Sequence, residues 1–379
     1  MFLQPRLNYH FTLYDTWKAL TAVLKKNDRR NGMSSLYVNS QIFYTNMGRT
    51  ALRLILNSLN LPKNAKIGVQ IYNCHSVFAA IKQAGYLPVF IDIDRSLTID
   101  LNDLKKKIHD IDALIVTHTF GIPAKIMEII FITGKIPIIE DVAHGFLSKI
   151  NEKHLGTFGD AAIFSFGNAK FPASGEGGVA MINNKAYLSK FEEQYSELRE
   201  LSKPKQIFNI LKTYGYSLMM LPPIYSLITY NLKKWYANKN AFKYLSIEEN
   251  ICSRGFKFII ENRLHQITEY QIRQLMNVKF LIAGLNEKYK VISTSIVNPI
   301  NYFLLPVLTS SPLTLIKKGH LNGIELGQQF SESNQWAEYY GYINGECPNF
   351  ELLKDQIVTI PCHYRLSTNT LNRLIITLS

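Results

Sequence analysis

From about residue 48 the chain alternates between two hydrophobic periods. Ala51, Leu52, Ile55, Leu56 and Leu59 recur at helical spacing, which predicts a helix over 50–59. Apolar runs predict strands over 67–72, 88–93, 113–120 and 137–143, with helix-like segments over 76–84, 101–108 and 124–131 between them. Two more strands, over 161–166 and 179–182, follow with no helix to separate them. This alternation predicts an α/β fold with a mostly parallel central sheet covered by helices. Ligands of such sheets sit at the carboxyl ends of the strands.

The pattern changes over 203–245. Residues 216–232 are largely apolar, with Pro222 and Pro223 in the middle and Lys203, Lys205, Lys212, Lys233, Lys234, Lys239 and Lys243 around them. The stretch is too short and too broken for a membrane-spanning helix. Two readings stay open: a buried hairpin at a dimer contact, or a peripheral contact with a membrane surface. From about 255 the pattern resets, with a helix over 262–275, strands over 302–308 and 357–360, and a closing helix over 367–378 for which Ser367 is a plausible cap. This predicts a large domain over 1–250, carrying the 203–245 insert, and a smaller C-terminal α/β domain over 251–379.

Composition narrows the classes. With 379 residues, 47% hydrophobic and 19% charged, the chain can bury a sizeable core and is not of a disordered type. Its net charge of +13 suits anionic partners such as phosphorylated cofactors or nucleotide-linked substrates, and suits equally a lysine-rich proteome. No dense basic run with interleaved aromatics argues for nucleic acid. Cys74, Cys252, Cys347 and Cys362 form no C-x-x-C pair, so no metal site or cysteine-ligated cluster is expected. Reduced thiols and the absence of a signal-peptide pattern in the first 25 residues point to the cytoplasm.

Three segments carry candidate chemistry. Gly48-Arg49-Thr50 opens a helix, where N–H groups and the dipole attract an anion. Asp141 ends the apolar strand around Ile138-Ile139-Glu140, where a carboxylate needs a partner such as a cationic heteroaromatic nitrogen; His144 follows three residues on. Lys170 follows the strand Ala161–Phe166 and precedes the turn Gly175-Glu176-Gly177-Gly178; a desolvated lysine there is a neutral nucleophile. Singly, each has a plainer reading: an ordinary N-cap, a core ion pair, a solvated lysine. Together they supply an anion cradle, an acid and an amine, the three requirements of a pyridoxal phosphate site.

The stretches EDVAH, GTFGDAAIFSFGNAK and GEGG between Ile138 and Asn183 resemble the DegT/StrS-type nucleotide-sugar aminotransferases. GRTAL at 48–52, YNCHSVFAAIKQAGYLPVFIDID at 72–94, VTHTFGIPA at 116–124 and the segment 347–367 match less closely. The resemblance implies a type I fold of pyridoxal phosphate enzymes and a homodimer whose sites draw on both chains. It implies amino transfer from an amino acid, L-glutamate, to a nucleotide-linked keto-sugar for surface polysaccharide or glycan synthesis. By the same resemblance Lys170 holds the cofactor covalently and moves protons, Asp141 pairs with the ring nitrogen, and His144 meets the phenolic oxygen. Ser165, Arg49 and Thr50 bind the phosphate. The family's ring-stacking aromatic falls on Cys74, with Tyr72 and His75 nearby, and an Asn that reaches the partner's phosphate falls nearest Asn262. In a branch that removes a hydroxyl, histidine replaces the lysine, so Lys170 favours amino transfer. The alternatives are an aminotransferase of non-nucleotide keto compounds, and a non-catalytic cofactor-binding or membrane-interaction protein on the same fold.

Overall fold

The computed structural model describes residues 2–25, 32–237, 249–292 and 300–379; Lys239 and Lys243 of the insert lie outside the described residues. Seven strands form the main sheet: β1 (Gln41–Thr45), β2 (Lys66–Gln70), β3 (Leu87–Ile91), β4 (Ala113–Thr117), β5 (Ile138–Asp141), β6 (Ala161–Ser165) and β7 (Gly178–Ile182). Their order is β1-β7-β6-β5-β4-β2-β3. The five strands from β3 to β6 run parallel; β7 runs antiparallel to both β6 and β1. The reason is local. Helices His75–Gln83, Leu101–Lys107 and Ile126–Thr133 carry the chain back between parallel strands, whereas a loop joins β6 to β7 and lets the chain reverse. Every residue of β4 and β5 is buried, which requires cover on both faces. The α/β expectation therefore holds.

A second sheet of β8 (Lys290–Val291), β9 (Leu305–Leu308) and β10 (Ile357–Ile360) is antiparallel. The C-terminal helix runs Thr368–Leu378, and the Ser367 hydroxyl accepts from the Thr370 N–H at 3.2 Å, as a cap does. The helix expected over 262–275 is instead two, Arg254–Leu264 and Ile267–Ala283, broken at His265-Gln266. Ile259 and Ile260 of the first pack in a cluster with the main sheet, while Val278 and Leu281 of the second pack with the small sheet. Ile267, at the start of the second helix, still packs in the first cluster, so the change of partner comes further along that helix. The insert forms the helix Lys203–Met219, turns at Leu221, and continues from Pro222 to Ala237. Proline at the first helical position is favourable, so Pro222 starts a helix and does not interrupt one.

Adjacent residues of β5 show how strand alternation divides labour. Glu140, fully buried, accepts from His118 Nε2 at 3.0 Å and from the N–H groups of Gly156, Phe158 and Gly159 at 2.8, 2.6 and 2.8 Å. The Ala124 N–H donates to His118 Nδ1 at 3.1 Å, which places the ring proton on Nε2, facing the carboxylate. This network ties the loop before β6 to β5 and so fixes the strand next to Asp141. Removing one partner strands buried donors, and Glu140→Ala is expected to cost about 3–5 kcal/mol of stability, with Glu140→Gln milder. Urea unfolding checks this; a loss under about 1 kcal/mol would show the network to be incidental.

Candidate active site

A cavity of about 320 Å³ opens at the carboxyl ends of β5 and β6, within the range of small-molecule sites. Gly48, Arg49, Cys74, Asp141, His144, Ser165 and Lys170 all line it. The structure thus brings together six of the eight site residues read from the sequence, with Thr50 and Asn262 outside the lining. The Thr50 hydroxyl is turned inward, donating to Asn46 Oδ1 at 2.8 Å, so only its backbone N–H remains for a ligand. Asn262 sits on the Arg254–Leu264 helix, half-buried.

The anion cradle is the start of the Gly48–Ser58 helix. Its preceding residue, Met47, supplies no side-chain cap, so the first-turn N–H groups remain for a ligand. Gly178, at the start of β7, lies so close that a Cβ there would come within 2.2 Å of the Met47 backbone. Only glycine lets the strand and the helix start approach like this, and the glycine-rich turn before it holds Gly175 and Gly177 at positive φ of 93° and 135°.

Asp141 is 4% exposed. Its Oδ1 accepts from the Ala143 N–H at 3.1 Å, and Thr117 Oγ1 approaches its Oδ2 at 3.4 Å. Asn73 Nδ2 donates to Thr117 Oγ1 at 2.9 Å, and Asn73 Oδ1 accepts from the Cys74 N–H at 2.7 Å. A relay from the start of the His75–Gln83 helix therefore orients the carboxylate. Burial pushes the Asp141 carboxyl above its usual range, against the Ala143 N–H, Lys170, His118 and Thr117, which pull it down. Burial lowers the Lys170 ammonium, with Cys74 and Asp141 opposing. Lys170 opens onto the cavity while protein surrounds its amine, and Nζ lies 5.0 Å from the centre of the Phe303 ring.

His144 is held flat against Phe303, centroids 4.3 Å apart and planes 11° apart. Phe330 and Phe120 lie nearly parallel to it, at 9° and 7°. Burial, then Lys170, drive the imidazole well below its usual value, so it is neutral. Its Nδ1 is buried with no hydrogen-bond partner. Phe330 also lines the cavity, with a positive φ of 59° that is uncommon for an aromatic residue. Sequence reading missed Phe303, Phe330, Asn73 and Thr117. The Y-N-C-H run at 72–75 held the only local signal, an amide next to the expected helix start.

Residues 36–220 match the profile of the DegT/DnrJ/EryC1/StrS aminotransferase family. Over that stretch, just under half of its length, the chain is similar to that family. The GDP-perosamine synthase of Vibrio cholerae is 31% identical over 147 residues, 38% of this chain and 40% of that one. A pleiotropic regulatory protein of Geobacillus stearothermophilus is 26% identical over 275 residues, 69% of this chain and 72% of that one. The perosamine synthase match spans only about two-fifths of that relative's length. Among solved structures, the Escherichia coli GDP-4-keto-6-deoxy-D-mannose-3-dehydratase with bound hydrated pyridoxal phosphate superposes with a TM-score of 0.77 at 17% identity, covering 100% of both chains. The Helicobacter pylori aminotransferase involved in the biosynthesis of pseudoaminic acid superposes at 0.72 with 15% identity, covering 100% of this chain and 97% of that one. These likenesses establish the shared fold.

The family's cofactor is pyridoxal phosphate, and the residues present fit it. An uncapped helix start meets a phosphate, a buried carboxylate meets a ring cation, an orphaned imidazole nitrogen meets a phenolic oxygen, and a low-pKa lysine meets an aldehyde.

The Asp141 shift has a stability consequence. A carboxyl whose folded pKa is raised favours folding at low pH, and that contribution is lost as pH rises from the usual carboxylate range through the folded value. In cofactor-free protein Asp141 therefore costs the fold stability once pH rises above the usual carboxylate range. Asp141→Asn is expected to raise the cofactor-free melting temperature at pH 7, with the gap closing toward pH 4. Calorimetry of the two proteins across that range checks this; a variant that melts lower at every pH would show that the carboxylate is satisfied without a cation.

Proposed function

We propose that this chain is a pyridoxal phosphate-dependent aminotransferase that moves an amino group from an amino acid, L-glutamate, to a nucleotide-linked keto-sugar. The observation that carries the reading is the Lys170 amine, lowered in pKa by burial, in one cavity with Asp141 and the neutral His144. Bound there, pyridoxal phosphate supplies an electron sink for carbon-centred proton removal. The chain's own residues do the rest. The start of the Gly48–Ser58 helix and the Ser165 hydroxyl hold the phosphate. Asp141 keeps the ring nitrogen protonated, and the Thr117–Asn73 relay keeps Asp141 aimed. Burial favours the unprotonated Lys170 amine, which takes the proton from the α-carbon of the donor.

Amino transfer and hydroxyl removal both occur on this fold, as the aminotransferase and dehydratase neighbours indicate by name. An amine at position 170 supports amino transfer. The nucleotide-sugar assignment rests on the names of partial relatives, a GDP-perosamine synthase among them, and on the basic charge of the chain. Asn262 does not line the cavity of its own chain, in keeping with a homodimer in which it serves the partner's phosphate. This reading places the protein in the cytoplasm, supplying amino sugars for surface polysaccharide or another glycan.

The test is the visible absorption of purified protein with pyridoxal phosphate, before and after L-glutamate. The expected result is a band that bleaches with L-glutamate and returns with a nucleotide-linked keto-sugar, and not with free keto-sugars. Lys170→Ala is expected to lower turnover by at least about 10⁴-fold while leaving circular dichroism unchanged. Equal return with free keto-sugars would support the non-nucleotide alternative; a cofactor band that no amino acid bleaches would support the non-catalytic one.

A further inference from the structure

The insert leaves an apolar face that the fold does not cover. The Lys203–Met219 helix packs one side, Gln206, Ile210 and Thr213, into the body. Its other side presents Phe208 (58% exposed) and Leu211 (50%) three residues apart, then Leu218 and Met219 two turns on. After the turn, Leu227 and Ile228 are 68% and 53% exposed. The Leu13–Leu24 helix, packed beside it, adds exposed Tyr14 and Trp17, with Lys18 Nζ 5.2 and 5.0 Å from their ring centres. Large exposed apolar side chains gathered on neighbouring helices mark an interaction surface.

Charge decides what covers it. From residue 201 to residue 247 the sequence holds seven lysines and no acid. Lys203, Lys205 and Lys212 are exposed on the same helix as the apolar stripe, and Lys205 Nζ lies 5.8 Å from the Phe208 ring centre. A second copy of this chain would meet the face with the same face, lysine against lysine with no acid to pair them. Protein interface cores are also depleted of lysine, and Lys212 sits beside Leu211 within the stripe. Apolar and aromatic side chains fringed by lysines that extend toward phosphates are instead the pattern of helices lying in a membrane interface. No described helix is long and apolar enough to cross a membrane. We propose that the face formed by residues 203–237 docks the protein on an anionic lipid surface, parallel to the bilayer.

The experiment is co-sedimentation of the full chain, loaded with pyridoxal phosphate, with phosphatidylcholine vesicles that contain or lack phosphatidylglycerol. Wild-type protein is expected to sediment with the anionic vesicles, to release as salt rises, and to stay in solution with phosphatidylcholine alone. Leu227→Glu/Ile228→Glu is expected to lower partition at least about tenfold. Lys205→Glu/Lys212→Glu, at two exposed positions, is expected to abolish the preference for anionic vesicles. Retention of the cofactor band shows that each variant is folded. Failure of folded wild-type protein to sediment would overturn the proposal, as would unchanged binding by both variants. Light scattering covers the rival occupant: no vesicle binding, with a dimer that the Leu227→Glu/Ile228→Glu change splits, would assign the face to a second copy. None of these readouts depends on which substrate is aminated.

Discussion

A carboxylate held at the end of a fully buried strand is the constraint around which this molecule is arranged. Asp141 cannot move toward water, because β5 is flanked by β4 and β6 and covered on both faces. Its ionised form is costly there, and what surrounds it lowers that cost without abolishing it: one backbone N–H, a long approach from Thr117, and a lysine that burial also disfavours as a cation. An acid and an amine, each disfavoured in its charged form by the same low-dielectric cavity, leave an unmet demand for a cationic ring.

The neighbouring carboxylate shows that this demand is specific to one face. Glu140 is one residue away and equally buried, yet it receives four hydrogen bonds from His118 and three N–H groups. A carboxylate so supplied is structural: it holds the β5–β6 connection and has nothing left to offer a ligand. Asp141 is left short on the face that opens to the cavity. The same strand thus carries a saturated and an unsaturated acid, and saturation, not burial, separates scaffold from site.

The parts of this arrangement that depend on residues close in sequence were legible. The strand-helix alternation, the acid ending β5, the lysine after β6 and the Ser367 cap each declare themselves within about ten residues. What was not legible depends on distant segments. β1 is an edge strand whose first three positions are exposed or half-exposed, and its apolar run is only Ile42-Phe43-Tyr44; it is held by β7, which pairs with it across more than a hundred residues. Phe303 and Phe330 flank His144 from the C-terminal third of the chain, and nothing local distinguishes them from ordinary core aromatics. Thr50 looked like a phosphate ligand because its helix position suits one, but Asn46, one turn earlier, captures its hydroxyl. The break at 265–266 was hidden because apolar residues continue through it, Leu264 and Ile267 packing in the same cluster on either side.

The insert illustrates a different limit. Apolar residues on all sides of a helix normally mean burial on all sides. Here Gln206, Ile210 and Thr213 face inward while Phe208, Leu211 and Met219 face outward, so much of the apolar surface of the helix takes no part in folding. A hydrophobic count cannot separate these halves, since both contribute equally to it. The distribution of charge can, because Lys203, Lys205 and Lys212 lie on the exposed side and the span holds no acid to pair with them. Position along the helix decides which side chains fold the chain; the sign of the charges among the remainder decides what it meets.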